Sequence, residues 1–302
     1  MKFLLAVALL LSFSFNNLSA QDIDSLSAQD VDSPKLDLHL NLLAGDSYLY
    51  SISTDQKMTQ EITGNQIEMN QKSNIDYKYT VESNDGESIK IKATCEKMQL
   101  SFDYPGNQIE YDSELKGSDS RLAGLDNITR KSFYLFLDTK GNIYKTEGFK
   151  ELGDEFKSNE FGDEFRSNEL IKNLFTDSAL ITSLHMDIYP DNPISIGTSW
   201  KKLSHLNLMS GKLQNDINYT LEGTSEDIAW INVKGDISGL VDNSSFKIDL
   251  KGTQTGTLET DLQSGLISDG TIQMEIEANI QSLDLVSPMK LSSETRISSR
   301  KL

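Results

Sequence analysis

Apolar and polar residues alternate with a period of two along most of this chain, the mark of strands that bury one face. Tyr48, Tyr50 and Ile52 share one side of a first strand, which stays extended to Ile62 and turns at Thr63-Gly64-Asn65. Ile67 and Met69 open the return strand, which runs through Ile75, Tyr77, Tyr79 and Val81. Asn84-Asp85-Gly86 then leads into Ile89, Ile91, Ala93 and Cys95, and on through Leu100 and Phe102 to a stop at Pro105-Gly106. Thr, Gln, Asn and Lys are expected on the opposite, wet face. An antiparallel sheet gives such alternation, whereas parallel strands covered on both faces read as continuous apolar runs.

A second block of the same kind opens at Ile194. Its strands lie around Ile217 to Leu221, Ile228 to Ile237 and Phe246 to Leu250, and Ile272, Met274, Ile276, Ala278 and Ile280 alternate almost without a break. The blocks correspond at three places in the same order. Gly45-Asp46-Ser47-Tyr48 matches Gly197-Thr198-Ser199-Trp200, and Tyr79-Thr80-Val81-Glu82 matches Tyr219-Thr220-Leu221-Glu222. The turn Leu137-Asp138-Thr139-Lys140-Gly141-Asn142-Ile143 matches Asp261-Leu262-Gln263-Ser264-Gly265-Leu266-Ile267. Three matches in order predict a duplicated β-unit.

Between the blocks, Phe149 to His185 is poor in β-branched residues before Ile171 and reads as helical. It holds a tandem copy, Leu152 to Glu160 against Phe161 to Glu169. At about 100° per residue, an offset of nine would put Phe156 and Phe165 on opposite sides of one helix. Two short helices broken at Gly153 and Gly162 are therefore expected, with Ser167 capping a last helix through Leu174 and Phe175.

The front end differs in character. Met1-Lys2, the apolar run Phe3 to Phe15 and Ser19-Ala20 at the cut are the parts of a secretory signal peptide, although Leu18, third before the cut, is larger than the preferred small residue. The run is shorter than the roughly 20 apolar residues a helix needs to span a bilayer. Cleavage after Ala20 leaves no Cys at the new start, so a soluble exported protein without a lipid anchor is expected, in the periplasm or outside the cell. Ser19-Ala20-Gln21-Asp22-Ile23-Asp24-Ser25 recurs as Ser27-Ala28-Gln29-Asp30-Val31-Asp32-Ser33. The central Gly and terminal Glu of a calcium loop are missing, so this reads as an acidic disordered leader. The expected organisation is a signal peptide over 1–20, the leader over 21–36, an N-terminal β-unit over 37–147, a helical connector over 148–192 and a C-terminal β-unit over 193–302.

Charge and chemistry narrow the function. The chain carries 46 acidic and 28 basic residues, and losing Lys2 with the signal peptide takes the formal charge from −18 to −19. A field of that sign repels phosphate backbones, which argues against nucleic acid as a partner. Cys95 is the single cysteine, so no internal disulfide forms, and its place in a strand-like run marks it as a buried apolar residue. His39, His185 and His205 stand in separate segments without ligand spacing, so no metal is expected. HExxH, GxSxG, P-loop and dinucleotide fingerprints are lacking, and no cofactor or enzymatic activity is expected. Trp200, Trp230, Tyr48, Tyr50, Tyr77, Tyr79 and Tyr219 read as core before ligand surface, and Met58, Met69, Met98 and Met274 suit either an adaptable cavity or ordinary packing.

Several stretches together resemble a known family. They are Gly45 to Tyr50, the strand Asp55 to Gln60, Tyr111-Asp112-Ser113, the turn Asp138 to Gly141, and Tyr189-Pro190-Asp191-Asn192-Pro193 running into Trp200. The pattern resembles an uncharacterised family of exported bacterial β-rich proteins, a domain of unknown function, and implies export without an assigned activity. The outline is also similar to the half-barrels of periplasmic lipoprotein and lipid carriers. The expected fold is mainly β with a helical segment, as two related, curved, antiparallel half-barrel-like units. The leading functional expectation is a non-catalytic binding protein for a lipid or other hydrophobic small molecule. The second is a structural or interaction module that docks an envelope protein, and the third a hydrolase with an unrecognised site.

Overall fold

The computed structural model describes residues 20–23, 34–115, 119, 122, 125–126, 129–149, 151–152, 187–208, 211–242, 247–282 and 285–302. Its strands are β1 (Ala20–Ile23), β2 (Ser47–Ile62), β3 (Asn65–Asn84), β4 (Ser88–Tyr104), β5 (Asn107–Asp112), β6 (Ser132–Asp138) and β7 (Ile143–Glu147). After the connecting stretch come β8 (Ser199–Leu208), β9 (Gly211–Thr224), β10 (Ile228–Asp242), β11 (Lys247–Asp261), β12 (Ile267–Ser282) and β13 (Leu285–Lys301). Neighbouring pairs are antiparallel, and the order across the sheet is β1-β8-β9-β10-β11-β12-β13-β2-β3-β4-β6-β7, with β5 on the far half of β4.

The fold is one curved, open sheet, which corrects the expectation of two sheet units. Each block is a meander, and the blocks fuse where β13 pairs with β2, from Lys301 opposite Tyr48 to Met289 opposite Gln60. The two strands have 17 and 16 residues and bring their buried sides into phase, so their pairing removes two edges that would otherwise be exposed. The leader was expected to be disordered, but its residues 21–23, with Ala20 before them, form β1 against Lys201 to Ser204 of β8; 24–33 lie outside the described residues. The expected helices over Gly153 to Phe175 also fall outside them. Only a turn, with the Leu152 amide donating to the Gly148 carbonyl, begins that stretch, and residues 187–192 are irregular.

One end of the inner face is filled by the chain itself. Residues 34–46 form a strap across it, with Leu38, Leu40 and Leu42 at 2 % exposure or less. The strap exchanges backbone hydrogen bonds between Leu36 and Ile194, and the Leu40 amide donates to the Thr139 carbonyl (2.7 Å). The Asn41 amide donates to the Ser264 carbonyl (2.8 Å). Thr139 and Ser264 belong to the two turns that correspond in sequence, so the strap ties the halves together. Around it pack Tyr50 and Tyr79, stacked at 5.2 Å between ring centroids, and Trp200 and Tyr219 at 5.6 Å. The Trp200 indole donates to the Ile188 carbonyl (2.7 Å), which meets the requirement that a buried N–H be paired.

A third apolar cluster lies under β5, where Cys95, Met98, Leu100 and Phe102 meet Ile109 and Tyr111. Here Tyr77 pairs with Cys95 while Asp76 pairs with Lys97, so Glu96 is bulged out. The bulge lets odd positions before it and even positions after it share one face. Cys95 is 1 % exposed, and burial, then the negative charges of Asp76 and Glu96, push its thiol up to about 12. A thiol reagent at neutral pH is expected to label the native protein at least about 100-fold more slowly than the urea-unfolded chain. Equal rates would show that Cys95 is not enclosed.

A candidate ligand-binding face

The inner face changes character along the strands. On β2 the inward positions read Tyr48, Tyr50, Ile52, Thr54, Gln56, Met58 and Gln60, an apolar end followed by a polar step and an apolar return. Neighbouring strands repeat that step at the same height. Thr54 lies opposite Ser73 and Thr295, and Gln56 opposite Gln71 and Ser293. Met274 of β12 stands between Ser293 and Gln254, and the polar step resumes in buried Gln254, Asn215 and Lys202. These polar side chains were expected on the wet face, but strand phase places them inside.

Some of the polar row is paired within itself. Thr54 and Thr295 share a hydroxyl contact of 3.1 Å, and Gln60 donates to Ser287 Oγ (2.7 Å). Lys202 and Asp187, 2 % and 3 % exposed, form an ion pair of 2.8 Å. Gln56 differs: it is 2 % exposed, and neither its amide nitrogen nor its oxygen finds a partner among the described residues. An unpaired polar atom at such a site costs about 1–3 kcal/mol.

Beyond the row lies a second apolar field. Met58 faces Met69 and Leu291, Ala278 faces Met289 and Leu250, and Ile280 faces Ile248. Among the described residues this cluster is built from strands alone, whereas the strap and the 187–194 stretch fill the first. These side chains are already buried, and Met turns about three soft bonds, so the packing here can adjust.

Three spaces adjoin the sheet. An outer-face groove of about 720 Å³ runs past Asn74, Gln99, Ser101, Gln108, Glu110 and Asp112. Two of its amides are engaged within it, Gln99 donating to Asp112 (2.8 Å) and Gln108 to Glu110 (2.7 Å). A second groove of about 430 Å³ passes Lys201, Asp216, Lys234, Asp236, Thr253 and Thr255. The third is a void of about 20 Å³ whose lining includes Gln56, Gln71, Met58, Met69, Phe102 and the carboxylate Asp103. It is the space on which the polar row and the methionine field converge.

The other sequence candidates are dispersed. His39 stands on the strap, exposed, with Nδ1 3.0 Å from the Asp37 carbonyl oxygen; His205 is on β8, and His185 lies outside the described residues. Among the described residues no group of three His, Cys, Asp or Glu is placed to hold a metal. Trp200, Tyr48, Tyr50, Tyr79 and Tyr219 are core, with partly buried Tyr77 packed against them, while Trp230 is 41 % exposed on the outer face and covers Gly223. Burial raises the Tyr50, Tyr77 and Tyr79 phenols far above their ordinary range and so keeps them protonated. Lys202, Asp187 and Gln56 went unnoticed in the sequence, although Lys202 and Gln56 keep the phase of Trp200 and Met58.

Residues 86–267 match a family of unknown function (DUF6263), and this span is more than half of the chain. The chain belongs to that family. No curated protein matches it. Among solved structures, one of lipovitellin described for its lipid–protein interactions aligns with a TM-score of 0.46 and 12% identity, over 86% of this chain and 25% of that one. This family member thus spans about a quarter of the lipovitellin chain's length. An outer membrane channel from Pseudomonas putida F1 aligns at a TM-score of 0.20 and 6% identity, over 91% of this chain and 100% of that one. The translocator domain of the autotransporter NalP from Neisseria meningitidis aligns at 0.23 and 6%, over 86% and 90%. Among the described residues no helix is long and apolar enough to cross a membrane.

Proposed function

We propose that this protein is an exported, non-catalytic binder that holds a hydrophobic small molecule on the inner face of its sheet. One observation carries the reading: among the described residues, the methionine-rich field around Met58, Met69, Met274 and Met289 is made by strands alone, whereas the strap fills the other end. These side chains are buried at 1–8 % exposure, so a hydrophobe would be held by methionines that part around it. The reading also rests on a duplicated half. The turns at Gly45 and Gly197 share positive φ (92° and 86°), and each glycine amide donates to the equivalent carbonyl, of Val81 and of Leu221.

Docking of an envelope protein through a sheet edge is less well supported. The β7 edge is five residues long and carries the Lys145–Glu147 ion pair, features that blunt an edge against strand addition.

Titration with the apolar fluorophore N-phenylnaphthylamine tests the proposal. Saturable enhancement at about one molecule per chain is expected, with a Kd in the micromolar range that typifies loosely held hydrophobes. Native mass spectrometry of protein purified from its own envelope is expected to show a co-purifying lipid. No enhancement and no lipid, under conditions that preserve lipid on a known carrier, would overturn the reading.

A further inference from the structure

We propose that the edge of β8 that faces away from β9 is a docking slot for the leader repeat, and that residues 28–31 fill it in the mature protein. The proposal concerns the edge of the sheet and does not depend on the binding function proposed above.

In the full chain the first copy of the repeat occupies this slot. Ala20, Gln21, Asp22 and Ile23 pair with Ser204, Leu203, Lys202 and Lys201. The second copy, Ala28-Gln29-Asp30-Val31, repeats that stretch eight residues later with Val in place of Ile. An even offset keeps every residue type on the same side of an extended strand, so the second copy fits the same register. The expected cut after Ala20 removes one of the four pairings from the first copy and none from the second.

Length decides between the copies. The next fixed point along the chain is the pair of hydrogen bonds exchanged by Leu36 and Ile194. Ile194 and Lys201 are seven residues apart. Ile23 and Leu36 are 13 apart, which leaves slack, whereas Val31 and Leu36 are five apart. Five extended residues reach about 17 Å. The seven on the other side are shortened by a turn, in which the Thr198 amide donates to the Ser195 carbonyl (3.0 Å). With the second copy in the slot, leader and strap run beside residues 194–204 almost without a loop. Pro34 suits this path, because a proline drives the residue before it, Ser33, into an extended conformation. By the three-halves power of loop length, closing five residues in place of 13 favours the second copy about fourfold.

The arrangement answers a need of the fold. An uncovered β8 would present a strand of 10 residues as a free edge, which is a template for pairing with another chain. Two copies beside the cut keep that edge covered after the signal peptide has gone.

Hydrogen exchange of the β8 amides that face away from β9 tests this, on chains that begin at Gln21, Ser27 and Pro34. The Gln21 and Ser27 chains are expected to agree within about twofold, and the Pro34 chain to exchange at least about tenfold faster. Amides that join β9 to β10 are expected to stay protected in all three, which reports an intact sheet. Proline has no N–H to pair, so Asp30→Pro/Val31→Pro in the Gln21 chain is expected to speed the β8 amides about fourfold. Asp22→Pro/Ile23→Pro is expected to change them less than about twofold. If the Ser27 chain exchanges as fast as the Pro34 chain, or if the two proline pairs act equally or in the reverse order, the second copy does not hold the slot and the inference falls. Full protection in the Pro34 chain also overturns it, since the leader then covers nothing.

Discussion

Gly265→Ala is expected to release the strap and lower stability by about 4 kcal/mol or more, in the range reserved for a few severe mechanisms. Gly265 has φ +73°, and a Cβ there would lie 2.0 Å from the His39 carbonyl oxygen and 2.7 Å from Leu40 Cα. Both contacts are backbone, so no side chain can turn aside. The strap would have to lift, exposing Leu38, Leu40 and Leu42, each worth about 1.5–3 kcal/mol when buried. Lifting would also strain the hydrogen bond from the Tyr189 hydroxyl to the Gly265 carbonyl. Gly64→Ala is the control: φ is +79°, yet nothing lies within 4 Å of its Cβ, so only the left-handed backbone term of about 1–2 kcal/mol applies. Urea midpoints at constant m separate the two. Equal losses for both variants would show that the strap does not depend on this close approach.

The turns and strand phases were legible because each has a local cause. Asp138 accepts from the Lys140 and Asn142 amides, and Asp261 from those of Gln263 and Ser264, so both turns are written in short-range hydrogen bonds. The pairing of β13 with β2 was not legible, because it joins residues more than 200 positions apart and depends on matched edge lengths. The polar row was misassigned for a related reason. Polar residue type suggested the wet face, whereas the period of two already set Gln56 in phase with Tyr50 and Met58. On a sheet of this length phase outranks polarity, since turning one residue outward would break the ladder around it. The change from odd to even buried positions along β4 was likewise visible, and the bulge at Glu96 is its cause.

The same reasoning gives Lys202 its weight. Strand phase carries it inward beside Trp200, where water cannot serve its ammonium group, and Asp187 meets it at 2.8 Å with both side chains at 3 % exposure or less. Removing one side chain takes the 2.8 Å contact from a charge that water does not reach, so Lys202→Met or Asp187→Leu alone is expected to destabilise, by up to about 3–5 kcal/mol. The double variant Lys202→Met/Asp187→Leu replaces the pair by apolar groups of similar size and is expected to recover most of that loss. The coupling measured by the double-mutant cycle should then be of order 3 kcal/mol, against near zero for independent sites. Additive losses would mean that each charge is satisfied by other groups and that the pair does not fasten the 187–194 stretch to β8. If coupling is found, the pair holds Asp187 and Ile188 in place, and through the Ile188 carbonyl it orients the Trp200 ring that closes the strap end. A buried charge pair then fixes where the apolar core around the strap stops and the polar row begins.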